Sequence, residues 1–106
     1  MLKRMKRRYL ALEIDCDGTF SSHEFMDAVW GAVLKLYGEY GASRTGLILI
    51  DYNLEKRFAV VRATHTAVDI VRTALASITK IGNKPATIHV LTVSGTIKAL
   101  YEKTKQ

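Results

Sequence analysis

The residues best suited to catalysis or metal binding are few, and they lie far apart along the chain. Histidine occurs three times, as His23, His65 and His89. Their surroundings predict a helix start, a loop and a strand, and no two of them have the close spacing of a zinc site. Cys16 is the only cysteine, so no disulfide can form within the chain. The sequence therefore predicts no metal site. The single thiol suits a reducing compartment, so the expected location is the cytoplasm.

Three short segments are partly similar to functional motifs, and each lacks a defining feature. Asp15–Gly18 is similar to the start of a calcium loop, but the residues after it fit a helix start better than the later ligand positions. The glycine-rich segment 38–46 lacks the Gly-Lys-Ser/Thr ending of a phosphate-binding loop. Ser94 lacks the Gly-x-Ser-x-Gly frame of hydrolases. We therefore predict no catalytic residues.

Positive charge is the stronger functional signal. Sixteen Lys and Arg residues against ten Asp and Glu residues give a formal net charge of +6. Such a surplus favours an acidic partner, with nucleic acid as the first candidate and an anionic membrane surface as the second. No apolar run approaches the roughly 18 residues that a membrane span requires. The first eight residues form a basic arm that either binds phosphates or keeps the chain soluble, with cations Lys3, Arg4, Lys6, Arg7 and Arg8.

Other cations extend the candidate RNA-binding set. Arg57–Ala63 is similar to the motif that carries stacking aromatics in RNA-recognition domains, but it lacks the glycine and most of the aromatic residues. Binding through phosphates, by charge and shape, is therefore favoured over base stacking on an open sheet. The further candidate contacts are Arg44, Lys80, Lys84, Lys98, Lys103 and Lys105.

The elements that must position these cations follow from hydrophobic periodicity and turn signals. Alternation predicts strands over 8–16 and from Pro85 to residue 93, and an unbroken apolar run followed by a turn predicts a hairpin of strands over 47–52 and 57–64. Capping-box spacing starts one helix at Ser21, which we expect to end at Gly38, and a second helix runs from Thr66 to Gly82. Ser94 is expected to cap a third helix. The order indicates an α+β, ferredoxin-like (RNA-recognition-motif-like) βαββαβ antiparallel sheet with an extra C-terminal helix. The predicted domain organisation is a basic N-terminal arm over residues 1–8, followed by a single α/β sandwich domain over residues 9–106.

Apolar residues beyond the needs of one core suggest a partner surface. The unbroken run Leu47–Ile50 indicates that both faces of the sheet are covered. Two helices can cover one face, and the other requires the C-terminal helix, a partner subunit, or both. The last helix should bury a stripe that includes Ile97, Leu100 and Tyr101. The candidate partner-interface residues are Trp30, Leu47, Leu49, Ile97, Leu100 and Tyr101.

Several of these segments carry a family resemblance. Val90–Leu100 (VLTVSGTIKAL) resembles the C-terminal signature of ribonuclease P protein component 2. Arg8–Leu10 (RYL), Leu36–Ser43 (LYGEYGAS) and Ile78–Ile81 (ITKI) match the same family in the same order. That family is the archaeal counterpart of a small subunit shared by eukaryotic ribonuclease P and ribonuclease MRP.

The resemblance implies a non-catalytic, RNA-binding subunit of ribonuclease P. In such an assembly the RNA, with its magnesium ions, removes the 5′ leader from precursor tRNA, and the protein itself holds no cofactor. The implied partners are ribonuclease P RNA, precursor tRNA, ribonuclease P protein component 3 and other subunits, with self-association within the assembly. The turn Ser94, Gly95, Thr96 matches the family motif and is assigned to the RNA site, as a support for an RNA-facing helix.

A different class of function also fits the residues. A ferredoxin-like interaction or ligand-sensing module that forms a homo-oligomer through its sheet would explain the two-faced apolar strands. Rising salt should weaken phosphate binding steeply and apolar assembly hardly at all. An acylphosphatase-like enzyme ranks last, because its anion-binding loop with Arg and its catalytic Asn are not visible near the first strand.

Overall fold

The computed structural model describes residues 6–104, and their elements follow the predicted order. These are β1 (Arg7–Cys16), α1 (Ser22–Ser43), β2 (Ile48–Asn53), β3 (Phe58–Thr64), a short 3₁₀ turn (His65–Ala67), α2 (Val68–Ser77), β4 (Lys80–Ile81), β5 (Lys84–Ser94) and α3 (Ile97–Thr104). The predicted α+β, ferredoxin-like arrangement with a C-terminal helix is confirmed. The two-residue strand β4 is an addition that the sequence pattern did not indicate.

The strands form one antiparallel layer in the order β2-β3-β1-β5-β4. The central strand β1 starts at Arg7, so Arg7 and Arg8 lie in the sheet and not in the arm. Leu10 of β1 pairs with Val61 on one side and Val93 on the other. Register shifts leave Leu91 of β5 and Ile50 of β2 as extra, bulged residues. Such bulges increase the local twist, which curls the sheet.

One face of the sheet is covered by α1 and α2. The alternating residues Leu10, Leu12 and Ile14 of β1 are buried in one core with residues of both helices. This core includes Phe25 of α1 and Leu75 of α2. The start of α1 has the predicted capping box. The Ser21 hydroxyl accepts from the Glu24 backbone N–H at 3.1 Å, and the Ser21 N–H donates to Glu24 Oε1 at 3.1 Å.

The opposite face is covered over its middle by α3. Leu100 is fully buried against Ala11, Phe58 and Val60. The Tyr101 hydroxyl donates to Asp51 Oδ2 at 2.8 Å, which ties α3 to β2. Burial and, next, this hydrogen bond raise the pKa of Tyr101 to about 12. The C-terminal helix therefore helps to cover Ile50 of the apolar run, whereas Ile48 stays exposed.

The expected end of α1 at Gly38 is wrong. Gly38 does leave the helical conformation, with φ 73° and ψ 178°, but the chain resumes a helix through Ser43. The resumed turn buries Ala42 against Val33 and Ala74, and this packing outweighs the glycine signal. The helical spacing of Phe25, Val29, Val33 and Leu36 predicts one buried stripe, but Leu36 is exposed.

The expected boundaries of the two later helices also need correction. Helix α2 ends at Ser77, because Ile78 turns into an extended conformation and is itself buried; Gly82, with φ 63°, makes the turn between β4 and β5. Ser94 is the last residue of β5 and does not cap α3. The cap is Thr96, whose hydroxyl accepts from the Ala99 N–H at 3.1 Å.

Candidate nucleic-acid interface

The predicted cations fall into three separate places. Arg7, Arg8 and Arg44 lie at the end of the sheet where β1 begins, and exposed Lys6 precedes them. Lys80 and Lys84 lie at the opposite end, on the β4–β5 hairpin. Lys98 and Lys103 are exposed on α3. Lys3, Arg4 and Lys105 lie outside the described residues.

The first of these places contains a cleft of about 640 Å³. We call it the arginine cleft, because three arginines line it, including Arg62, which was not among the predicted contacts. Its walls also present hydroxyl groups and an indole ring. The lining includes Arg7, Trp30, Ser43, Arg44, Leu47, Ile48, Arg62, Thr64 and Thr66.

Strand register brings two of the arginines together. Arg7, the first residue of β1, pairs with Thr64 at the end of β3. Arg62 lies two residues before Thr64 and pairs with Tyr9 of β1 and with Ile48, the first residue of β2. Arg7 and Arg62 thus lie at the corner where β1 and β2 start and β3 ends.

The third arginine, Arg44, lies in the connection between α1 and β2. Arg44 follows the kinked last turn of α1 and is its C-terminal cap. Buried Thr45 holds the connection, since its hydroxyl donates to the Ala42 carbonyl at 2.9 Å and accepts from the Leu47 N–H at 3.3 Å. Thr64 then fixes the connection to β3. Its N–H donates to the Thr45 carbonyl at 2.8 Å, and its hydroxyl donates to the Arg44 carbonyl at 3.2 Å. The backbone that carries Arg44 is therefore well anchored.

The charge of the arginine cleft is uncompensated by carboxylates. Within residues 6–104, none of the three arginines forms a salt bridge with Asp or Glu. Arg44 Nη1 donates to the Tyr40 hydroxyl at 3.0 Å, and the guanidinium carbon lies 5.3 Å from the centre of that ring. The Nε–H of Arg62 is buried and has no acceptor among the described residues. A buried donor without a partner costs about 1–3 kcal/mol.

The β4–β5 hairpin, at the opposite end of the sheet, carries lysines and not arginines. The Lys84 ammonium donates to the Thr19 carbonyl, and its stem lies over Gly18. Asp15 and Asp17 line a shallow groove beside the start of β5. The Lys84 ammonium is thus satisfied in part by a backbone carbonyl, and two carboxylates line the neighbouring groove, although within residues 6–104 neither forms a salt bridge with Lys80 or Lys84.

The turn that the family resemblance singled out lies beside the cationic strand β1. A Cβ on Gly95 would come within 3.4 Å of Arg8 Nη1, so Gly95 allows the guanidinium to approach the backbone. Ser94 is buried, and its hydroxyl accepts from the Thr96 N–H at 3.4 Å. The turn therefore places Arg8 and the start of α3 next to each other.

The candidate partner residues differ in accessibility. Leu47 and Leu100 belong to the interior, at 5% and 0% exposure, while Trp30, Leu49 and Tyr101 are half-buried. Ile97, expected to be buried on the α3 stripe, is 38% exposed, so that expectation is wrong. Further exposed apolar side chains, which were not among the predicted partner contacts, are Leu34, Leu36, Tyr37, Tyr40, Ile48 and Leu91.

Residues 6–104 contain no cluster of three or more His, Cys, Asp or Glu side chains that could hold a metal ion. No helix among them is long and apolar enough to cross a membrane.

Fold and cleft together define the class: a ferredoxin-like α+β sandwich with an extra helix and a basic cleft at one end of its sheet. The chain belongs to the Rpp14/Pop5 family, whose model matches residues 8–105. Over 100 residues, 94% of this chain, it is 35% identical to ribonuclease P protein component 2 of Pyrococcus horikoshii, spanning 83% of that protein. It is 36% identical to the protein of the same name from Methanococcus aeolicus, over 94% of this chain and 73% of that protein.

A solved structure has the same fold. A chain in the cryo-EM structure of yeast ribonuclease MRP matches with a TM-score of 0.72, covering 100% of this chain and 96% of that chain. The sequence identity is 13%. At that identity the match supports the fold alone.

Proposed function

We propose that this chain is a non-catalytic, RNA-binding subunit of ribonuclease P that supports RNA-catalysed removal of the 5′ leader from precursor tRNA. Its family, and its relatives named ribonuclease P protein component 2, support the part of the proposal that makes it a subunit of ribonuclease P. The observation that carries RNA binding is the arginine cleft, where three arginines meet without a carboxylate partner among the described residues. Guanidinium groups match phosphate geometry, because they donate two parallel hydrogen bonds.

In this proposal the protein makes and breaks no bond. Arg7, Arg44 and Arg62 neutralise phosphates of the RNA, and the counterions released from those phosphates favour association. The RNA holds the magnesium ions that the cleavage requires, and the protein binds no cofactor. Reduced repulsion between phosphate backbones lets the folded RNA approach the precursor tRNA at lower magnesium concentration.

The proposed partners are ribonuclease P RNA, precursor tRNA, ribonuclease P protein component 3 and the other protein subunits, in the cytoplasm. The exposed apolar side chains of Ile97 and Leu91 offer a surface for a protein partner. Self-association within the assembly would use surfaces of the same kind.

Reconstituted cleavage tests this proposal. Ribonuclease P RNA, the other subunits and precursor tRNA are mixed at moderate magnesium, with and without this chain. We expect 5′ cleavage to be faster with the chain present, and the gain to shrink as magnesium is raised. Cleavage that is indifferent to the folded chain at every magnesium concentration would refute the proposal.

One observation favours a second candidate, a homo-oligomeric interaction module. Leu34, Leu36 and Tyr37 of α1 are exposed, although side chains of this size usually lie inside. Sedimentation of the chain, alone and mixed with ribonuclease P RNA, at low and high salt distinguishes the two functions. Apolar self-assembly persists in high salt, whereas RNA binding through phosphates weakens.

A further inference from the structure

We infer that the arginine cleft receives one unpaired nucleotide, with its phosphate among the arginines and its base against Trp30. The inference rests on the proposed function for the source of the nucleotide, which is an RNA strand. It adds a specific mode of recognition, in which a single base leaves its helix and enters the protein.

The size of the cleft favours a single nucleotide. Its volume of about 640 Å³ lies within the roughly 300–1,000 Å³ of typical small-molecule sites. A paired duplex presents its phosphates on a broad convex surface, and its bases are stacked inside. A nucleotide that has left the stack exposes both its phosphate and its base.

The chemistry of the lining matches the two halves of a nucleotide. Arg62 brings a buried Nε–H with no acceptor among the described residues, and exposed Arg44 and Arg7 bring two more guanidinium groups. The exposed residues Ser43 and Thr66 line the same cleft. The Thr66 hydroxyl suits a ribose or a phosphate oxygen, and the Ser43 hydroxyl, which donates to the Tyr40 carbonyl at 2.8 Å, can still accept from a ribose hydroxyl.

Trp30 supplies the aromatic surface. Its side chain is half-buried and packs against both the main core and the small core around Val33 and Ala42, so its position is fixed. The same residue lines the cleft. Stacking on a fixed indole ring favours a base over an inorganic anion or the carboxylate side chains of an acidic peptide, which have no ring to stack.

Trp30 is also the only tryptophan, so its fluorescence reports on the occupancy of the cleft. The test titrates the full-length chain with an RNA hairpin that has one bulged nucleotide and with the same hairpin lacking the bulge. Free AMP and inorganic phosphate serve as small probes. We expect the bulged hairpin to quench the fluorescence and to bind about tenfold more tightly than the paired one, the gain expected for one stacked base. AMP should quench at higher concentration, and phosphate should not.

Two variants assign the effect to the cleft. Arg62→Met should bring the affinity for the bulged hairpin down to that for the paired hairpin. Arg72→Met should preserve the difference, because Arg72 is exposed on α2 and lies outside the cleft. Circular dichroism checks that both variants fold, and Arg44→Met replaces Arg62→Met if the latter does not.

The results separate this inference from the proposed function. Equal affinity and equal quenching for the two hairpins would overturn the inference, while binding of both would leave the RNA-binding function standing. Tight binding of an acidic peptide with no response to AMP would also overturn it. Failure of reconstituted cleavage, with the difference between hairpins intact, would refute the proposed function alone.

Discussion

The two ends of the sheet both carry cations, yet they differ in how those cations are satisfied. At the arginine cleft, Arg7, Arg44 and Arg62 lie together without a carboxylate partner among residues 6–104. At the opposite end, Lys84 already donates to the Thr19 carbonyl, and Asp15 and Asp17 line the adjoining groove. Net charge therefore marks this protein as basic, but the two ends differ in local composition: the cleft gathers three arginines, while carboxylates line the groove next to the lysines.

The type of cation strengthens the difference. A guanidinium is planar and weakly hydrated and binds phosphate through paired hydrogen bonds, whereas an ammonium is a compact and strongly hydrated charge. The cleft combines arginines with hydroxyl groups and Trp30, while Lys80 and Lys84 lie on an exposed hairpin. We expect the cleft to dominate RNA binding and the lysine end to contribute little.

The largest predicted effect comes from charge reversal in the cleft. The double variant Arg7→Glu, Arg44→Glu should weaken binding of ribonuclease P RNA by about 10- to 100-fold at moderate salt, because two attractions to phosphate become repulsions. Filter binding measures the affinity. Lys80→Glu with Lys84→Glu makes the same change in net charge and is the matched control, with an expected loss below about threefold. An equal loss in both variants would remove the distinction between the two ends.

A smaller effect is predicted for α3, which crosses the middle of the sheet between the two ends. Tyr101→Phe removes the hydrogen bond to Asp51 and should lower the free energy of unfolding by about 1 kcal/mol at neutral pH. RNA affinity should change little if the cleft dominates, even though Lys98 and Lys103 lie on this helix. Urea denaturation and filter binding provide the two readouts. A loss of affinity larger than the loss of stability would assign α3 a direct role in RNA binding.

The raised pKa of Tyr101 predicts that the stability of the protein depends on pH in the alkaline range. The pKa of Tyr101 is raised to about 12 from its ordinary value of 10.0, so the folded state holds this proton more tightly than the unfolded state. The resulting stability is complete below pH 10 and is lost as the pH rises from 10 towards 12. Tyr101→Phe should make this decline shallower without abolishing it, because burial also raises the pKa of Tyr52 to about 12. Identical declines, measured by urea denaturation, would contradict the assignment.

The smallest predicted effect is stabilisation by phosphate. An anion that pairs with Arg62 binds the folded state only, so phosphate in modest excess over its dissociation constant should raise the free energy of unfolding by roughly 1 kcal/mol or less. Arg62→Met should lose this specific part and retain the general stabilisation that phosphate gives to folded proteins. Thermal melts in phosphate and in chloride of equal ionic strength provide the measurement, with Arg72→Met as the control. An unchanged response in Arg62→Met would mean that the cleft does not take up phosphate.

The sequence predicted the fold because local signals and long-range packing agree. Alternation in β1 and the capping box at Ser21 act within a few residues, and the structure has both. Gly38 failed as a helix stop because the decisive contact is distant in sequence: Ala42 packs against Ala74. Ile97 was misassigned because helical spacing describes a stripe but not the angle at which a short helix meets the sheet.

The cleft was only partly predictable. Arg7 and Arg44 were selected as cations, but their convergence depends on the register of β1 with β3 and on Thr64, which fixes the connection after α1. Arg62 was missed because it lies in a strand whose other residues are buried. A lone charge in such a strand is a usable signal, since burying it requires a partner or an open cleft. Pairing it with Arg44, 18 positions earlier, required the structure.

The salt dependence of RNA binding tests the central claim most directly. Affinity for ribonuclease P RNA is measured over a range of potassium chloride concentrations for the wild type, for Arg44→Met with Arg62→Met, and for Lys80→Met with Lys84→Met. We predict that the slope of log affinity against log salt falls by about two in the arginine variant, about one for each lost phosphate contact, and stays unchanged in the lysine variant. An unchanged slope in the arginine variant, with a reduced slope in the lysine variant, would contradict the assignment of RNA binding to the cleft.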